Sequence, residues 1–433
     1  MFCKRFVFFV TLALLPVAVW SQARLSGFVS IDKRFDVGTE NVLVADFYNR
    51  FRSELSAPLG EKLFLFSSLD LRFYDLPRVS SVVDLEDIES LFPTDLSLWE
   101  AYAELTGFLF DDLDVRVGKQ RIAWGRADRF NPTDNLNPDD FSDLIDFGAK
   151  IPTWAIKATY YLGDLELTGV WLPSVIPILL PRGGTSLFLG IESTTIRDTL
   201  IVPSAEIKNS MFAFKVGGVF EGWDYSLSYF NGFDDLPAVS KVVVGGNGRG
   251  PTPEYMELVF PRLEVLGADL ATDLGGIGFW GEAGVFWQEE IITRTYDGTG
   301  YSASVTLDDR PYVKYTVGGD YTFPGGFYVN GQLVHGFFTE RGAGNLRDYL
   351  FAQVEKDILQ DELQLILGGA FEVGNRSNIS DSYGLGFFPA VTYKAIDNLE
   401  ATLGAFFVGG GPSSLFGAWD SADQVYLRLK VYF

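Results

Sequence analysis

The one histidine of this sequence, His335, is the first place to look for chemistry. Acyl-transfer triads and many metal sites depend on histidine. His335 follows Leu333-Val334 and precedes Gly336-Phe337 near the end of an alternating run, with no evident catalytic partner in the sequence. It reads as a histidine at an aromatic girdle, so no catalytic residue, no metal site and no cofactor is expected. The one cysteine, Cys3, sits before an N-terminal apolar run, and a single cysteine excludes a disulfide scaffold. The segment 126–152 holds Asp128, Asp134, Asp139, Asp140, Asp143 and Asp146. Carboxylates at this density attract Ca²⁺ or Mg²⁺, but Asp139-Asp140-x-x-Asp143 has neither the spacing nor the glycine of an EF-hand. A solvated acidic loop is the plainer expectation.

The basic residues carry more information. Arg50, Arg52, Arg72, Arg116, Lys314, Arg428 and Lys430 fall mostly on the polar phase of alternating segments, as do Glu54, Asp70, Glu100, Glu104, Asp114 and Asp320. One reading is charge pairing that holds a wall together. The other is a lumen with basic and acidic ladders on facing walls, which orient passing solutes. Arg50, Arg52 and Arg72 lie on neighbouring segments and are expected to form one basic cluster, with Glu100 and Glu104 on the next pair.

Such charges need elements of period two to hold them, and the pattern has that period. In 423–433, Val425, Leu427, Leu429, Val431 and Phe433 alternate with Gln424, Tyr426, Arg428, Lys430 and Tyr432. Segments of this length match the roughly 9–11 residues that a tilted transmembrane strand needs. Soluble strands are usually nearer 5–6 residues. Eighteen such strands are legible, with sixteen as the alternative count: 24–35, 45–56, 63–74, 97–108, 113–122, 153–162, 165–172, 209–220, 223–232, 262–274, 277–289, 310–323, 327–339, 347–358, 362–373, 383–394, 399–409 and 421–433. The connections alternate. Gly163-Asp164, Glu221-Gly222 and Gly275-Gly276 are short, whereas 75–96, 123–152, 173–208, 233–261 and 290–309 are long. Short turns at one end and long loops at the other are the habit of transmembrane barrels. Asp84 to Phe92 has helical spacing and is expected as a short helix in an outer loop.

Composition agrees. The chain has 433 residues, 47% of them hydrophobic, with 38 Phe, 19 Tyr and 9 Trp, which excludes disorder. The formal charge of −23 excludes a nucleic-acid binder, because phosphate contacts need a basic face. Residues 1–23 read as a secretory signal peptide: Lys4 and Arg5, an apolar stretch from Phe6 to Trp20, then Ser21-Gln22-Ala23 before the cut. Residues 24–433 then form one transmembrane antiparallel β-barrel.

The C-terminal strand ending in Phe433 resembles the terminal signature of bacterial outer-membrane barrels. Val115-Arg116-Val117-Gly118-Lys119-Gln120, Trp124-Gly125 and Asn131-Pro132-Thr133-Asp134 resemble a block of porin-like families of Gram-negative bacteria, as does the proline-rich stretch of Pro173, Pro177 and Pro181. The resemblance implies a porin-like protein of the outer membrane, with Phe433 as the assembly signal read by the barrel assembly machinery. It names no solute. The expected partners are outer-membrane lipid, lipopolysaccharide (with divalent cations bridging it to the acidic loop) and small solutes; the oligomeric state is open.

Together these readings give a channel for passive diffusion of small solutes. Its pore would be lined by Arg50, Arg52, Asp70, Arg72, Glu100, Glu104, Arg116, Lys314 and Arg428. A barrel of this size leaves an aqueous lumen that loops must narrow. Two loops can reach inward: 126–152, with Asp139, Asp140 and Asp143 placed to pair with Arg50 or Arg72, and 173–208, whose Val175, Ile176, Ile178, Leu179 and Leu180 need cover. The alternatives are a transporter of hydrophobic molecules that uses 173–208 for capture, a structural or adhesive barrel, and loops that only cap the barrel from outside.

Overall fold

A strand with apolar residues on one face and polar residues on the other must bury one face in each of two media. Arg24–Asp36 turns Leu25, Ile31 and Phe35 outward and buries Ser30, Asp32 and Arg34. Arg262–Leu274 exposes Leu266 and Leu270 and buries Val265 and Asp269. In both, the middle of the outward face is apolar and a charge is buried on the face opposite, the inverse of a soluble sheet and the pattern of a strand that faces lipid.

The computed structural model describes residues 23–433, apart from 39–42, 46–47, 75, 80, 182–195, 247–250, 299 and 375–376. The signal-peptide segment 1–22 lies outside the described residues. Eighteen strands form the wall: β1 (Arg24–Asp36), β2 (Asn49–Leu59), β3 (Leu63–Phe73), β4 (Thr94–Leu105), β5 (Leu113–Gln120), β6 (Thr153–Leu162), β7 (Leu165–Leu172), β8 (Met211–Phe220), β9 (Trp223–Phe233), β10 (Arg262–Leu274), β11 (Ile277–Gln288), β12 (Tyr312–Thr322), β13 (Phe327–His335), β14 (Asp348–Ile358), β15 (Leu363–Val373), β16 (Tyr383–Ile396), β17 (Leu399–Gly410) and β18 (Gln424–Tyr432). Each pairs antiparallel with its neighbours in sequence, and β1 closes the ring on β18 from Phe28↔Tyr432 to Asp36↔Gln424. Closure removes the sheet edge, whose unpaired N–H and C=O groups would each cost several kcal/mol in lipid.

The connections sort by length without exception. Turns at one end are 60–62, 106–112, 163–164, 221–222, 275–276, 323–326, 359–362 and 397–398; loops at the other are 37–48, 74–93, 121–152, 173–210, 234–261, 289–311, 336–347, 374–382 and 411–423. Two-residue turns between twisted strands require positive φ, met at Gly275 (φ 67°) and Gly276 (φ 88°) by glycine and at Asn398 (φ 61°) without it. The expected outer helix forms as a 3₁₀ turn over Val82–Glu86 and an α-turn over Ile88–Leu91, where the Asp87 carboxylate accepts from the Glu89 N–H.

One element is new. Segments 197–201, 238–246, 251–259, 291–296 and 301–307, all within stretches expected as loops, form a second, five-stranded sheet beyond the rim. Ala238, Ile291 and Leu307 make its small core, with Val259 packed against them. Among the described residues, no helix is long and apolar enough to cross a membrane.

Candidate functional site: the lumen and the loop across it

The barrel interior is filled across its middle by 121–152, the connection between β5 and β6. Gly125 starts the inward path. Its φ of +84° and the Glu282 carboxylate 2.4–2.7 Å from where a Cβ would stand leave room for glycine alone. Glu282, buried on the inner face of β11, then collects five donors from the loop: the N–H groups of Arg126 (2.8 Å), Ala127 (3.0 Å) and Thr133 (2.8 Å), the Thr133 hydroxyl (2.7 Å) and the Asn131 amide (3.2 Å). A carboxylate so surrounded is satisfied in an apolar interior where a bare one would not survive.

Further ties run around most of the wall. Arg34 on β1 holds Asp143 with two bonds of 2.6 and 2.7 Å, and Arg72 on β3 reaches Asp140 at 3.3 Å. Arg126 pairs with Asp269 on β10 at 3.0 Å; the Thr316 hydroxyl on β12 donates to the Phe130 carbonyl at 2.8 Å. Phe130 stacks on Phe351 of β14 at 4.3 Å, and Phe147 lies against Trp419 at 6.1 Å. The segment 174–181 joins from above. The N–H of Phe141 donates to the Leu179 carbonyl at 2.8 Å, and that of Leu179 to the Asp139 carbonyl at 3.1 Å. Val175 is buried and Ile178 packs on the aromatic cluster. Leu179 itself remains exposed, as do Leu200, Ile201, Val202 and Ile207; 182–195 lie outside the described residues.

The aspartates of the loop are therefore mostly neither solvated nor gathered for a cation. Asp140 pairs with Arg72 as expected, but Asp139 pairs with Lys150 of its own loop (2.6 Å), and Asp143 with Arg34 and, at 3.8 Å, Arg428. The physical reason is reach: the inward path carries 143 to β1 and β18 rather than to Arg50. Burial pushes the Asp143 carboxyl up, but Arg34 and Arg428 outweigh it and hold it below the usual carboxylate range. Burial works against charge on Lys150 too, yet Asp139, Asp134 and Asp235 keep its pKa raised. Asp235, whose carboxylate accepts from the Asp139 N–H at 2.9 Å, is pushed up to about 7 by burial and by the charges of Asp139 and Asp234.

The wall residues separate into four groups. Arg50, Arg52 and Arg72 converge on the buried Asp70: Arg50 with two bonds of 2.6 and 2.8 Å, Arg52 at 3.6 Å and Arg72 at 3.9 Å. Glu104 and Arg116 pair with each other at 2.5 Å, away from that cluster. Lys314 is buried, donates to the carbonyls of Phe337 (2.8 Å) and Phe338 (3.1 Å), and borders a small interior cavity beside the loop. Arg428 binds Asp32 at 2.7 Å. His335 does have a partner: its Nδ1 lies 2.7 Å from Asp348, and its ring stacks on Tyr315 at 5.0 Å. Asp32, Arg34, Trp99, Lys150, Asp235 and Glu282 also belong to this interior, beyond the residues expected from strand phase. Glu282 had a legible signal, being the only charge in the apolar run from Ile277 to Gln288.

The two larger cavities bordered by the loop among the described residues differ in lining. One of about 300 Å³ is bordered by Arg50, Arg52, Arg72, Trp99, Glu100 and Asp146. The other, about 320 Å³, is bordered by Phe130, Phe147, Phe388, Tyr328, Gln332 and Glu355.

A closed eighteen-stranded antiparallel barrel with an apolar outer belt and a charged interior is a porin-like β-barrel of the cell outer membrane. Residues 80–365 match the family described as protein of unknown function (DUF1302), and the chain belongs to that family. Among solved structures it is similar to OccK9 (OpdG) of Pseudomonas aeruginosa, with a TM-score of 0.52 at 10% identity over 96% of this chain and 98% of that one. It is also similar to a BenF-like porin of Pseudomonas fluorescens Pf-5 (0.51, 10%, 95% and 97%) and to the outer-membrane protein OpdK of Pseudomonas aeruginosa (0.51, 9%, 95% and 99%). Identity this low is a likeness of fold alone. No curated protein matches the chain.

Proposed function

We propose that this barrel is a passive channel for small hydrophilic solutes, with loop 121–152 as its constriction and Asp139, Asp140 and Asp143 among the residues that fix that loop in place. The observation that carries the reading is the tie of one loop to opposite sides of the wall, at Arg34 and at Glu282, with a polar cavity left beside it. Wall side chains cannot span a barrel of this size, so a loop anchored across it sets the width. Solutes pass the arginine-lined side by exchanging hydration for fixed charges, without a conformational step. A structural barrel would be closed to ions, and a transporter of hydrophobic molecules would need an open apolar groove, whereas Val175 and Ile178 are packed into the interior clusters. Purified, refolded barrel in a planar bilayer should give discrete ion-conducting steps. Folded protein that inserts and stays silent would contradict the reading.

A further inference from the structure

The arginine-lined cavity has a local irregularity in the sheet beside it. Between β3 and β4 the register jumps: Ser68 faces Glu100 while Leu69 faces Leu98, so Trp99 is an extra residue. The Glu100 N–H donates to the Ser68 hydroxyl at 3.1 Å across the jump. A β-bulge of this kind re-aims side chains, and here Trp99 and Glu100, adjacent in sequence, both border the cavity. The guanidinium carbons of Arg52 and Arg50 lie 4.9 and 5.5 Å from the Trp99 ring centre.

The charges of this cavity do not all cancel. Arg50 is spent on Asp70, Arg72 on Asp140, Arg121 on Asp134 (2.6 Å) and Asp143 on Arg34. Arg52 is the most loosely held: it shares Asp70 with Arg50 at 3.6 Å, and its buried Nε and Nη2 make no hydrogen bond among the described residues. Two carboxylates are left over. Glu100 accepts only the Arg121 N–H, at 2.8 Å, and neither Glu100 nor Asp146 has an ion pair among the described residues. A loosely paired guanidinium bordering a cavity favours a planar carboxylate, and carboxylates without an ion pair favour an ammonium. A plain anion would satisfy Arg52 but meet Glu100 and Asp146.

We propose that this pocket is a binding site for small zwitterions of the α-amino-acid type, the ligand carboxylate on Arg52 and its ammonium on Glu100 and Asp146, with Trp99 as the flat wall between. The site rests on the channel reading for its role in passage, and its binding is measured separately. Titration calorimetry of the refolded barrel compares L-phenylalanine with 3-phenylpropionate, which lacks the ammonium, and 2-phenylethylamine, which lacks the carboxylate. L-Phenylalanine should bind about tenfold or more tighter than either, since a site built for a polar group rejects the analogue without it. Arg52→Met should remove the advantage over the amine, and the near-isosteric Glu100→Gln should reduce the advantage over the acid, with both variants keeping the heat-modifiable folded band. Equal binding of 3-phenylpropionate, equal binding of 2-phenylethylamine, or an unchanged Arg52→Met variant would overturn the proposal. Bilayer recordings on the same preparation separate the two ideas: a conducting barrel that binds no L-phenylalanine sinks the site and spares the channel, and a silent barrel that binds it does the reverse.

Discussion

Glu282 is the residue on which the loop turns. Its carboxylate serves three backbone N–H groups that have no helix or strand to pair with. Leaving a buried donor unsatisfied costs about 1–3 kcal/mol. Glu282→Ala should therefore detach 126–133 from β11 while the barrel stays closed, and single-channel records should show a larger or noisier open state. A variant with wild-type current would mean that the loop is held by its other ties. Asp235 gives a second test, through pH. Its folded pKa of about 7 lies above the ordinary carboxylate range, so the ionised form is the costly one. The contact with 139 is fully favourable below the ordinary carboxylate range and weakens as pH rises towards and through 7. Asp143 runs the other way: its pKa is depressed, so its pairing with Arg34 is intact above the ordinary range and lost only in acid. Between pH 6 and 8 the Asp235 effect stands alone among these two. Conductance fluctuations should grow from pH 6 to pH 8, and Asp235→Asn, beside Asp139, Asp234 and Lys150, should flatten that dependence.

At the scale of elements, the strands were legible because lipid on one side and charge on the other impose a period of two. The spans 153–162, 165–172 and 262–274 agree with the structure to the residue. The strand read at 45–56 begins instead at Asn49, because 43–45 pairs separately with the end of β1. The outer sheet was illegible for a different reason. Segments such as Ala238–Gly246 fall inside a connection between barrel strands, and their parallel pairing with 291–296 joins parts of the chain far apart in sequence. The site was half legible. The cluster of Arg50, Arg52 and Arg72 follows from strand phase, whereas Trp99 enters through a bulge that no alternation shows. The anchoring of Asp143 on Arg34 likewise depends on a path through the lumen. The last strand carries its own prediction. The Gly27 and Phe433 backbones exchange two bonds of 3.0 and 3.1 Å at the seam, and the Phe433 ring stacks on Phe51 at 5.9 Å. Deleting Phe433 should lower the yield of folded, heat-modifiable barrel and leave signal-peptide cleavage unaltered. A normal yield would show that the seam and the assembly step do without it.

For the whole molecule, the sorting of connections fixes orientation. The segments 247–250 and 297–300 join strands of the outer sheet, while 163–164 and 275–276 are tight turns at the opposite end. Epitope tags in the first pair should be labelled on intact cells, and tags in the second pair only after the membrane is opened. Labelling of the tight turns on intact cells would invert the barrel. If one folded-in loop sets the width of the lumen, removing 133–146, which takes Asp139, Asp140 and Asp143 with it, must widen the channel. Single-channel conductance of that variant, confirmed as folded by heat-modifiability, should rise well above the wild-type value. An unchanged conductance would contradict the claim.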